Sequence, residues 1–265
     1  MSFQMTKAAL QTLQSSEKYW EIKNQTNTSA DLYLYSTISS WGEEWGDTSA
    51  KDVIKAVKAL GNISQLNIYI NSPGGTVSEG MAIKAFLARQ TFKKDVYIDG
   101  LCASIATAIA FGINATVHMD STALVMIHNA WSYVYGNSAD FRKAADDLEK
   151  HDETIRQIYL DRTAGKLSED EITDMMAAET WFSASECLEY GLIDEIVSGS
   201  TQAAACLPKA YFDLYKNVPK SVSVKDENPN INISIDVTTT QEVIDKANAV
   251  LKEYKYRKEQ NNYGK

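Results

Sequence analysis

The sequence predicts an α/β fold built on a mostly parallel sheet, on three grounds. Short apolar or aromatic runs recur at residues 31–36, 66–70, 96–99, 116–118 and 124–127. Apolar residues at helical spacing fill several of the intervals between them. Residues that break regular structure punctuate the boundaries, so strand and helix alternate as in βαβ units.

The elements follow in order. Trp20 and Ile22 mark the expected start of ordered structure after a polar stretch. Asp31-Leu32-Tyr33-Leu34-Tyr35-Ser36 has the alternation of a strand. Val53, Ile54, Val57 and Leu60 place a helix at 49–60, capped by Thr48 or Ser49 and stopped by Gly61. Leu66-Asn67-Ile68-Tyr69-Ile70 is a strand, and Asn71-Ser72-Pro73-Gly74-Gly75 a turn. A helix at 77–87, a strand at 96–99, a helix at 104–111 and short strands at 116–118 and 124–127 continue the alternation.

From Ser138 the pattern changes. Phe141, Ala145, Leu148, Ile155, Ile158 and Tyr159 share one side of a long helix at 139–162. Such a helix either covers its own core or projects to pack against another subunit. Helices at 168–177 and 183–190 each open on a serine with an acidic residue soon after. A strand at 192–197 closes the domain. The expected organisation is therefore an N-terminal segment (1–19) with little order, a domain (20–197), a linker (198–240) and a C-terminal helical extension (241–265).

Composition narrows the function. A chain of 265 residues, 44% hydrophobic and 23% charged, buries a sizeable core. A net charge of -9 argues against nucleic-acid binding, which needs clustered Lys and Arg. Cys102, Cys187 and Cys206 cannot all pair and lack metal-ligand spacing, so reduced thiols, no metal site, no cofactor and a cytoplasmic setting are expected. The start of the sequence shows no apolar core of signal-peptide length. The run at 101–113 is too short to span a bilayer, so no membrane role is expected.

The chemistry centres on Ser104, in Asp99-Gly100-Leu101-Cys102-Ala103-Ser104-Ile105-Ala106, where a strand gives way to small helix-forming residues. A serine needs a base to accept its proton and amides to hold the developing oxyanion. His128 ends an apolar strand and is the best base; His118 reads as structural and His151 lies on a solvated helix face. The amides of Ile105 and Gly75, with Gly74 alongside, are the candidate oxyanion donors. Taken singly, the glycines only make a turn and the serine only caps a helix.

Ile70-Asn71-Ser72-Pro73-Gly74-Gly75, Ala103-Ser104-Ile105-Ala106, Met126-Ile127-His128 and Glu189-Tyr190-Gly191-Leu192-Ile193-Asp194 together resemble the ClpP family of serine peptidases. Ala130-Trp131, Gly136-Asn137-Ser138-Ala139-Asp140 and Glu179-Thr180-Trp181 resemble, more narrowly, its phage head maturation (prohead) proteases. The resemblance implies ClpP/crotonase-like ββα units with a projecting long helix, and a homo-oligomeric ring. It implies a serine endopeptidase cleaving scaffold and capsid proteins. Ser104 then matches the nucleophile, His128 the base, and Gly75 and Ile105 the oxyanion donors. Glu179 stands where the housekeeping enzyme has aspartate; Asp174 and Asp152 are weaker candidates. The residues before Trp20 do not resemble the loop that meets an unfoldase ring, so an AAA+ partner is not implied. Three alternatives stay open: an ATP-dependent housekeeping peptidase subunit, a crotonase-fold enzyme or inactive structural homologue, and a Ser/Lys mechanism through Lys84 or Lys93.

Overall fold

The structure, a computed structural model, describes residues 20–42, 46–198 and 215–219. The expected helical extension at 241–265 and the segment at 1–19 lie outside the described residues.

The described residues form one eight-stranded sheet. Its strands are β1 (Trp20–Lys23), β2 (Ser29–Leu34), β3 (Gln65–Ser72), β4 (Lys93–Ala103), β5 (Thr116–Asp120), β6 (Leu124–Ile127), β7 (Thr180–Ser183) and β8 (Glu195–Val197). The main path runs β1-β2-β3-β4-β5-β8, with β6 attached to β4 and β7 to β6. Among these strands only the β1–β2 and β6–β7 pairs are antiparallel. The α/β, mostly parallel expectation therefore holds. Leu32, Ile68, Val96, Ile98, Val117 and Met119 are fully buried on one face, while the alternate positions Tyr33, Tyr69, Tyr97 and His118 stack half-buried on the other.

The helices are α1 (Ala50–Ala59), α2 (Val77–Ala88), α3 (Ile105–Phe111), α4 (Ser138–Thr163), α5 (Glu169–Ala177) and α6 (Ala184–Tyr190). Ser49 caps α1 by accepting from the Asp52 amide. Ser168 and Ser183 form capping boxes with Glu171 and Glu186, the pattern their sequences predict. The 26 residues of α4 extend about 39 Å at the usual rise. Its buried positions, Ile155, Ile158, Tyr159 and Thr163, all fall in the C-terminal half. Arg162 ties that half to the body through the Leu192 carbonyl and the Asp194 carboxylate. The N-terminal half, with Phe141, stands exposed.

Three sequence expectations are corrected. The strand expected at 96–99 is eleven residues long, because its first half pairs with β5 and its second half with β6. Strand β7 has no counterpart among the expected elements; its four residues owe their conformation to pairing with β6 rather than to local pattern. The helix expected to begin at Ser104 begins at Ile105.

Candidate active site

The second half of β4 builds the site. Between Ile70 and Ser72 the β3–β4 register shifts, so that Ile70 faces Ile98 while Ser72 faces Cys102. The Asn71 side chain fills the resulting gap, its Oδ1 accepting from the Leu101 amide at 3.0 Å. A Cβ on Gly100 would lie 2.9 Å from that oxygen, which explains the glycine. Beyond the irregularity, Ala103 pairs with Met126 of β6, and the Ser104 amide donates to the Met126 carbonyl at 2.9 Å. Ser104 thereby lies beside the end of β6, where His128 follows.

Ser104 has φ 54° and ψ -132°, a positive-φ conformation outside the left-handed helical well that costs a non-glycine residue of order 1–3 kcal/mol. Its hydroxyl makes no capping bond to α3. Instead Oγ lies 2.8 Å from His128 Nε2. Burial pushes the His128 imidazole below the ordinary histidine range; the Glu179 charge pulls it back up and Lys216 pushes it further down. In the neutral tautomer that carries its proton on Nδ1, the imidazole accepts at Nε2 and the Ser104 hydroxyl donates there.

The glycine pair lies against this turn. A Cβ on Gly74 would come within 2.6 Å of both Ser104 Cβ and the Ala103 carbonyl, and 3.1 Å from the Ile105 nitrogen. Gly74 also has φ +87°, so both space and conformation demand glycine. Its amide donates to Ser72 Oγ at 3.1 Å. Gly75 is pinned by a bridge to Ile38 and shows no acceptor for its amide among the described residues. The Ile105 amide, at the first position of α3, likewise meets no described acceptor.

Glu179 sits next to His128 because Thr180 pairs with Ile127. It too has positive φ, 54°. Its Oε1 accepts from the Lys216 and Asn217 amides at 2.8 and 2.7 Å, and no bond to His128 is seen among the described residues. Asn217 Nδ2 reaches the Ala178 carbonyl at 2.9 Å. The Tyr215 ring stands edge-on to His128 and Trp181, at 5.8 and 5.7 Å between centroids, and its hydroxyl donates to the Pro73 carbonyl. Residues 215–219 fall within the expected linker, and there Tyr215 packs with Trp181 against Leu101, Ala103 and Met126. No local pattern announces this, because the contact spans more than thirty residues of sequence and depends on one aromatic ring.

The other candidates fall elsewhere. Asp152 accepts from the Ala130 amide at 2.6 Å. His118 stacks on Tyr97 and pairs with Glu195 at 3.0 Å, a structural role. Lys93 pairs with Asp95 at 3.0 Å, and the partner of the Ser104 hydroxyl is an imidazole rather than a lysine. Among the described residues no group of three His, Cys, Asp or Glu side chains is placed to hold a metal. No helix among them is long and apolar enough to cross a membrane.

The family model described as Clp protease matches residues 22–200. The chain belongs to the Clp protease family. It is 31% identical over 134 residues to the ATP-dependent Clp protease proteolytic subunit 2 of Bifidobacterium longum, covering 49% of this chain and 63% of that protein. It is 33% identical over 147 residues to the ATP-dependent Clp protease proteolytic subunit of Streptococcus salivarius, covering 54% of this chain and 73% of that one. The fold is similar to that of a ClpP1 point mutant from Listeria monocytogenes. There the TM-score is 0.54 at 23% identity, over 66% of this chain and 93% of the other.

Proposed function

We propose that the chain is a serine endopeptidase acting through an acyl-enzyme. The observation that carries this is the Ser104 hydroxyl, held in a strained turn 2.8 Å from the His128 imidazole instead of capping its helix. His128 Nε2 takes the proton as Oγ attacks a peptide carbonyl, and returns it to the departing amine. The Ile105 amide and the Gly74–Gly75 turn receive the oxyanion. Water then repeats the sequence to free the acyl group. Glu179 supports the imidazolium by its charge, while its oxygen is shared with the 215–217 segment.

We further infer assembly into a homo-oligomer and cleavage of scaffold and capsid proteins. The exposed half of α4 and exposed Trp131, Tyr133 and Tyr135 just before it support the first. Similarity to head maturation proteases at 130–131, 136–140 and 179–181 supports the second. A second reading, a proteolytic subunit working with an ATP-driven unfoldase, is favoured by the names of the two bacterial relatives. Incubation with a scaffold protein, without ATP or a second enzyme, separates them. Fragments formed by wild type and absent with Ser104→Ala support the first reading. Cleavage only after an unfoldase and ATP are added supports the second, and cleavage that persists in Ser104→Ala overturns both.

A further inference from the structure

Two buried hydroxyls take no part in the chemistry above. Thr107 and Tyr159 are 0% and 1% exposed. Thr107 is the only polar residue of α3, whose other members, Ile105, Ala106, Ala108, Ile109, Ala110 and Phe111, are apolar and buried. Its Oγ1 donates to the Ser104 carbonyl at 2.5 Å, and the Thr107 amide donates to the same carbonyl at 3.0 Å. The Tyr159 hydroxyl, from α4, lies 2.6 Å from Thr107 Oγ1.

The direction of this chain follows from proton counting. A threonine hydroxyl has one proton, and here it goes to the Ser104 carbonyl. Tyr159 therefore donates to Thr107. Burial pushes the Tyr159 phenol up, which keeps that proton in place across the working pH range. Ser104 is thus gripped at both ends, its amide by Met126 and its carbonyl by Thr107.

We propose that Thr107 and Tyr159 are positioning residues for the Ser104 nucleophile, the two hydroxyls fixing its carbonyl so that the strained turn keeps Oγ on His128. A threonine bonding back to the preceding turn is common in helices and by itself implies nothing. Here the acceptor is the strained residue itself, and a second buried hydroxyl from another helix orients the donor. The proposal rests on the serine-peptidase reading.

The test compares Thr107→Val, Thr107→Ser and Tyr159→Phe for acylation by a fluorophosphonate and for kcat and KM on a peptide ester, well below each variant's unfolding temperature. Thr107→Val should slow acylation and lower kcat about five- to tenfold, the scale of one neutral hydrogen bond, with KM nearly unchanged. Thr107→Ser should restore most of the loss. Tyr159→Phe should cost about threefold alone and nothing further when added to Thr107→Val, since both act through one bond. Wild-type acylation in folded Thr107→Val, or a loss that serine does not restore, overturns the proposal. Should Thr107→Val not fold, Tyr159→Phe decides, and an unchanged rate there overturns it equally. Ser104→Ala run alongside keeps the two ideas apart: labelling that survives it rejects the peptidase reading rather than the positioning role.

Discussion

Ser104 and Glu179 are held at the same φ of 54°, each at a junction between strand and helix, and each lies beside His128. What holds them differs. Ser104 is fixed by buried neighbours, the Met126 carbonyl on one side and Thr107 on the other. Glu179 is fixed by residues 215–217, whose Lys216 and Asn217 are exposed. The nucleophile is thus set by the core, and the acidic residue by a more exposed contact. The first should be rigid and intolerant of change, the second adjustable.

The largest effect expected from this contrast is at the pair itself. Ser104→Ala and His128→Ala should each lower kcat by on the order of 10⁴-fold or more, and the double variant should be no worse than either, because the two act as a unit. Additive losses in a turnover assay would break the pairing. Gly74→Ala comes next. Its methyl would press on Ser104 Cβ and the Ala103 carbonyl, so acylation should fall by about 10²–10³, as when an oxyanion donor is lost. A mild effect would show the core side to be less rigid than described.

Smaller changes belong to the Glu179 side. Glu179→Gln keeps an oxygen for the Lys216 and Asn217 amides but removes the charge. It should cost about tenfold in kcat/KM, through lost support for the imidazolium. Because His128 is the base and its pKa is lowered by burial, kcat/KM should fall only as pH drops through a value below the ordinary histidine range. Glu179→Gln removes a stabiliser of the imidazolium and moves that limb to still lower pH; Lys216→Ala moves it up. A pH–rate series that shifts the opposite way contradicts the assignment of those charges. The smallest effect is at Tyr215→Phe, which loses the bond to the Pro73 carbonyl, worth about 1 kcal/mol. Faster hydrogen exchange at the Lys216 and Asn217 amides is the readout, with turnover changing less than in Glu179→Gln.

The same contrast explains what could be read in the sequence. The parallel strands, the Ser49, Ser168 and Ser183 caps and the order of Gly74–Gly75, Ser104 and His128 are carried by local pattern, and the fold places them as that pattern requires. Asn71 and Gly100 make sense only as a pair, since one side chain crosses the other's missing Cβ at a register shift. Strand β7 has no signal apart from β6. Tyr215 ends the run Tyr211-Phe212-Asp213-Leu214-Tyr215, and nothing in that run tells which distant rings it will meet. Thr107 reads as a minor flaw in an apolar helix until Tyr159, fifty-two residues on, is seen against it.

The claim beneath all of this is that one hydroxyl is activated by one imidazole. Peptide mapping of a fluorophosphonate adduct by mass spectrometry, in wild type and His128→Ala, tests it most directly. The account predicts a single adduct on Ser104, formed far more slowly without His128. An adduct on another residue, or labelling of Ser104 at an undiminished rate in His128→Ala, would contradict it.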